Sequence, residues 1–128
     1  VRLAEFLTRV QDRGEYRSQE EAEHVSEAVL WTLATRISPR EADGLAARLP
    51  APLDEALHRD RGRAETFGRE EFLRRVAQQT GARPRTAEWD VGAVLSTVAD
   101  AVSGDELDDL LARLPNGYAE LFGRPEPG

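Results

Sequence analysis

The chain has 128 residues, 40% of them hydrophobic and 32% charged, with a formal net charge of −7, which suits one domain with a real core and is short for two independent ones. It has no cysteine, so disulfides and thiolate metal sites are excluded, and no run of about 18 apolar residues, so a membrane-spanning helix is excluded as well. The acidic balance repels phosphate and counts against nucleic acid as a partner.

Val1-Arg2-Leu3 leads straight into an amphipathic pattern, so no signal peptide is expected and the cytoplasm is the expected compartment. All 17 basic residues are arginine, which together with abundant Ala, Gly and Leu points to a GC-rich bacterial genome. The first helix is read from Leu3, Phe6, Leu7 and Val10, whose i, i+3, i+4, i+7 spacing draws one helical face. The second opens at a capping box, Ser18 to Glu21. It carries the stripe Ala22, Val25, Val29, Leu33 and Ile37. A third begins at Ser38-Pro39-Arg40-Glu41, a capping box with proline in the first turn. Its apolar positions are Ala42, Leu45, Ala46 and Leu49, and Pro50 ends it because the residue before proline leaves the helical region. Leu53, Ala56 and Leu57 predict a short fourth helix.

The pattern then recurs. Phe6, Leu7 and Val10 return as Phe72, Leu73 and Val76, 66 residues on. After one residue is lost in a loop, Ala28-Val29-Leu30, Ser38 and Arg48-Leu49-Pro50 return 65 residues on as Ala93-Val94-Leu95, Ser103 and Arg113-Leu114-Pro115. The second long helix starts near Pro84 with the stripe Ala87, Val91, Val94, Val98 and Val102, Val91 falling one step out of register. A third box, Ser103 to Glu106, precedes Leu107, Leu110, Leu111 and Leu114. Tyr118, Leu121 and Phe122 close this half. Ordered matches along the whole chain mark an internal repeat. The expected architecture is an all-α compact helical bundle of two tandem pseudo-symmetric three-to-four-helix repeats. Residues 1–58 form the first repeat, 59–68 a linker and 69–124 the second, together one globular domain, with 125–128 a frayed tail.

These residues resemble a bacterial family catalogued as domain of unknown function 2267. The resemblance covers residues 3 to 122. It is carried by Glu5-Phe6-Leu7, Glu20-Glu21-Ala22, Ala28-Val29-Leu30, Leu33, Arg36-Ile37-Ser38, Glu41-Ala42 and Leu49-Pro50. In the second half it is carried by Glu71-Phe72-Leu73, Val94-Leu95, Val102 to Glu106 and Leu114-Pro115. It implies an all-helical, internally duplicated fold and supplies no activity, so no catalytic residue follows from it.

Chemical motifs are sparse. Glu21-Ala-Glu-His24 and Glu55-Ala-Leu-His58 are both Glu-x-x-His, the pairing that di-iron bundles place on facing helices. Glu21 and His24 turn away from the apolar stripe, however, and their second-half counterparts are Thr86 and Trp89, so helix geometry argues against a metal. The acidic run Asp105, Glu106, Asp108 and Asp109 could attract Mg²⁺ or Ca²⁺, but it sits in the first turns of a helix, where carboxylates complement the dipole. Arg59, Arg61 and Arg63, with Arg69, Arg74 and Arg75 beyond, form the basic cluster. They could meet an anion, yet no aromatic platform for bases is interleaved. No nucleophile elbow supports Ser-His-Asp chemistry. No cofactor and no catalytic residue are expected.

A second stripe is more distinctive. His24, Ala28 and Trp31 on the second helix correspond to Trp89, Ala93 and Ser96 on its counterpart. If these helices cross antiparallel at Ala28 and Ala93, Trp31 meets Trp89. The stripe is therefore expected to be the interface between repeats or a surface for a protein partner. The function expected from these features is a non-enzymatic protein-interaction, structural or regulatory module. The alternatives are a small-ligand-binding or enzymatic protein using the groove between repeats, and a nucleic-acid binder using the arginine-rich linker.

Overall fold

The computed structural model describes residues 2–58 and 64–125. Among these residues the fold is all-α, with eight helices and no strand. They are α1 (Leu3–Gly14), α2 (Gln19–Arg36), α3 (Pro39–Ala46), α4 (Leu53–Ala56), α5 (Arg69–Thr80), α6 (Pro84–Ala101), α7 (Gly104–Ala112) and α8 (Tyr118–Leu121). Their lengths run 12, 18, 8 and 4 residues, then 12, 18, 9 and 4. No helix among the described residues is long and apolar enough to cross a membrane.

Local chemistry sets the helix ends. Ser18, Ser38 and Ser103 each accept the N–H three residues on, at 3.1 Å. Among the described residues the reciprocal bond of a full capping box forms only at Ser38, whose N–H donates to Glu41 Oε1 at 2.9 Å. The boxes expected at Ser18 and Ser103 are therefore half-formed. At Ser103 the reason is visible: the Glu106 carboxylate turns to Arg48, 3.3 Å away. α3 also stops short of the expected proline. Arg48 and Leu49 donate to Leu45 and Ala46 in tighter i→i+3 turns, which satisfy the last carbonyls before Pro50. α5 ends on Gly81 at φ 75, in the left-handed region that glycine enters without strain. α1 ends on Glu15 at φ 56.

The first long helix of each half packs on its neighbour in sequence and also across the boundary. α1 lies against α2 and α6, α5 lies against α6 and α2, and α2 touches α6 between them. The cycle α1–α2–α5–α6 is a four-helix bundle with α2 and α6 on its short diagonal. α4 packs on α2, α8 on α6 and α3 on α4. The central position explains why α2 is buried on more than the single stripe read from sequence. Ser26, Ala28, Leu30, Thr32 and Ala34 are buried beside Ala22, Val25, Val29 and Leu33. The buried hydroxyls cost little because they back-bond: Ser26 to Ala22, Thr32 to Ala28 and Thr97 to Ala93, at 2.7, 2.9 and 2.8 Å.

The segment before α5 is a strap held in the fold rather than a wholly solvated linker. Glu65 N–H donates to Thr35 O at 2.9 Å, and Arg36 Nε donates to Phe67 O at 2.7 Å. The Arg75 guanidinium lies 4.0 Å from the Phe67 ring centroid. Tyr118, fully buried, meets Phe72 edge-on at 5.6 Å and donates its hydroxyl to Phe67 O at 2.9 Å. Burial pushes the Tyr118 hydroxyl up to about 12 against the pull of Arg36, so it remains a donor.

Candidate functional site

The residues of the second stripe lie at two different grooves. Ala28 and Ala93 are buried, while Trp31 and Trp89 are the large hydrophobic side chains exposed among the described residues, at 36% and 53%. The expected meeting of the indoles does not occur. Trp31 lines a groove with Thr32 and Thr35 of α2 and Arg75, Gln78 and Gln79 of α5. Trp89 lines a groove with Arg85, Glu88, Gly92, Ala93 and Ser96 of α6 and Arg13 of α1. The reason lies in the bundle order. Each tryptophan helix is flanked by the opening helix of the other half, so each stripe faces that helix and not the other stripe. His24 is exposed near the start of α2.

The two grooves share a hydrogen-bond register. Gln79 of α5 donates to Thr32 Oγ1 at 2.5 Å. Arg13 of α1 donates to Thr97 Oγ1 at 3.1 Å. These pairs stand 66 and 65 residues apart, as in the sequence repeat. The chemistry around them differs. Arg13 also bonds Ser96 at 3.1 Å and Asp100 at 2.6 Å. Trp89 Nε1–H donates to Gly14 O at 3.0 Å, which fixes the ring's orientation while half of it stays exposed. The neighbouring Asp90, only 5% exposed, accepts from the Tyr16 hydroxyl at 2.5 Å. Two consecutive α6 residues thus grip the turn after α1. Burial raises the Asp90 carboxyl above the usual carboxylate range, the Tyr16 bond opposes that shift, and Glu21 adds to it. Burial, with help from the Asp90 carboxylate, holds Tyr16 far above an ordinary phenol.

The Glu-x-x-His residues do not assemble. Among the described residues no group of three or more His, Asp or Glu side chains could hold a metal ion. Glu21, His24 and Glu55 are exposed, and His58 Nδ1 lies 3.3 Å from Asp43. They sit on solvent faces of α2 and at the end of α4, which point in different directions. The anion-binding candidates Arg59, Arg61 and Arg63 lie outside the described residues. The arginines beyond them are engaged: Arg69 with Glu88 at 3.0 Å, Arg74 with Glu71 at 2.6 Å, and Arg75 with Glu65 and Glu71 at 3.1 and 2.8 Å.

A cleft of about 320 Å³ runs between α3 and α7, lined by Arg40, Glu41, Gly44, Leu45, Glu106, Asp109, Leu110 and Arg113. Reciprocal ion pairs cross it, Arg48 to Glu106 at 3.3 Å and Arg113 to Glu41 at 3.2 Å. Its carboxylates already face guanidinium groups, so it does not offer the convergent unpaired polar groups that small-ligand sites present.

Sequence reasoning missed Arg13, Arg85 and Gly92 as groove residues. The signal existed on α6, where Arg85, Trp89, Gly92 and Ser96 follow helical spacing around one face. The contribution of α1 had none, because it depends on which helix packs there.

The family described as Uncharacterized conserved protein (DUF2267) matches residues 4–121, nearly the whole span over which the sequence resembles it. No curated protein matches the chain.

Proposed function

Because the chain belongs to the DUF2267 family, whose description names no activity, we propose from its own geometry that it is a non-enzymatic protein-interaction module, regulatory or structural in role. Its docking surface is the groove between α1 and α6. The observation that carries this reading is Trp89: a half-exposed indole, anchored by its own N–H to Gly14, above a floor of Gly92, Ala93 and Ser96. A large apolar side chain kept rigid and partly exposed loses little entropy when covered, which is why tryptophan dominates binding hot spots.

Gly92 supplies a clean test. A β-carbon built there meets nothing within 4 Å, so Gly92→Gln fills the groove without a clash. It should also firm the helix by up to about 1 kcal/mol, glycine being a poor helix former. Affinity capture from the source cells, quantified by mass spectrometry, should recover a partner with the wild-type chain and lose it with both Gly92→Gln and Trp89→Ala. Capture unchanged by either substitution would overturn the reading.

A further inference from the structure

We propose that the segment docking on this groove is an acidic amphipathic helix, which seats a bulky apolar side chain against Trp89 and a carboxylate on Arg85. This rests on the groove being a docking surface, and it adds the chemistry of the partner. Three observations carry it.

The first is shape. Trp89, Gly92, Ala93 and Ser96 lie at i, i+3, i+4 and i+7 on α6, a strip on the order of 10 Å long. Its floor is made of small residues, so a second backbone can come close. The cavity measures about 470 Å³, room for one or two large side chains rather than for a buried segment. A helix laid along the groove inserts side chains at that spacing.

The second is charge. Arg9 and Arg13 share Asp100, at 3.8 and 2.6 Å, and Arg69 takes Glu88 at 3.0 Å. Arg85, one turn before Trp89, has no carboxylate partner among the described residues. Four arginines therefore surround the groove against two carboxylates, in a chain whose net charge is −7. A local positive excess on an acidic protein selects an acidic partner and disfavours others.

The third is the contrast with the Trp31 groove. There Arg75 is neutralised by Glu65 and Glu71, and Arg74 also pairs with Glu71. The indole at that groove is also less exposed, 36% against 53%. Charge and exposure thus single out Trp89.

The test uses the full chain carrying Trp31→Phe, so that Trp89 is the lone indole. Two synthetic amphipathic helical peptides are titrated in turn, one of Leu and Glu, the other with every Glu replaced by Lys. Trp89 fluorescence is recorded in parallel with peptide anisotropy, and the readout is the binding that Gly92→Gln abolishes. The Leu/Glu peptide should show such binding, weakening as salt rises. The Lys peptide should bind there at least about tenfold more weakly, and Arg85→Glu should cost the Leu/Glu peptide a similar factor, the worth of one charge-assisted pair. Far-UV circular dichroism should be the same for all variants. If the Lys peptide binds the groove as well or better, the acidic partner is overturned and the docking surface stands. If the Leu/Glu peptide binds but ignores Gly92→Gln, both are overturned. If neither peptide binds, the acidic-helix assignment falls while the capture experiment still decides the docking surface. Self-association of the protein alone, lost in Arg85→Glu, would make a second copy the occupant and overturn the proposal.

Discussion

Glu15 occupies a backbone conformation that suits glycine. At φ 56 and ψ 42 its β-carbon crowds a carbonyl, a cost that only glycine escapes fully, and the corresponding helix end after α5 has Gly81. Glu15→Gly should raise stability by about 0.5–1 kcal/mol, seen as a higher urea midpoint at unchanged slope. A lower midpoint would mean that the Glu15 side chain contributes more than the strain costs. Asp90 has a pH signature. Its carboxyl is raised in the folded protein, chiefly by burial, so the folded state binds that proton more tightly than the unfolded chain. Its contribution is therefore fully present below the unfolded carboxyl value and is lost as pH rises through the raised folded value. Asp90→Asn keeps an oxygen for the Tyr16 hydroxyl and carries no charge. The variant should gain stability relative to wild type at neutral pH, and the gain should shrink as pH falls through the carboxylate range. Urea midpoints at several pH values check the sign; a gap that widens toward acid contradicts it. At this scale the sequence was only partly legible. Asp90 stands where the repeat places Val25, and a buried carboxylate is recognisable only once Tyr16, 74 residues away, is seen to reach it.

Among the helices, the third of each half gives the sharpest comparison. Glu41 and Glu106 occupy the same place in the repeat and each meets an arginine across the α3–α7 cleft. Glu41 also bonds the Ser38 N–H, whereas Glu106 does not close its box. Exposed ion pairs contribute at most about 1 kcal/mol, and a cap contributes about as much again. Glu41→Ala should therefore destabilise by about 1 kcal/mol more than Glu106→Ala, measured by thermal or urea unfolding of the two single variants. Equal losses would show that the reciprocal cap adds nothing. Serine caps, prolines and apolar spacing made α1, α2, α3, α5, α6 and α7 readable from the sequence, because those signals act within a few residues. The strap ahead of α5 was not readable. Phe67 is held by Arg36 and Arg75, the first of them a buried residue on a helix of the other half.

Taken whole, the molecule should behave as one cooperative unit. α1 covers α6 and α5 covers α2, so neither half completes its own core. Cutting between them would expose Val29, Leu30, Val94 and Leu95, all fully buried in the intact chain. A fragment of residues 1–58 or of 64–128 should lack a cooperative transition by circular dichroism, while the intact chain unfolds in a single step. A half that melts cooperatively alone would show that the cross-packing is dispensable.

Sequence alone determined the all-α class, the order of the helices, most of their starts and the apolar faces of α1, α3, α5 and α7. Each of these follows from the helical period and from caps and prolines that act locally. Tertiary structure decided that α2 and α6 are buried on more than one face and that each tryptophan meets the opening helix of the other half rather than its fellow. It also decided that Arg85 borders the Trp89 groove without an ion pair. Those outcomes depend on which faces pack together, and packing partners far apart in the chain leave no periodic trace in either partner's sequence.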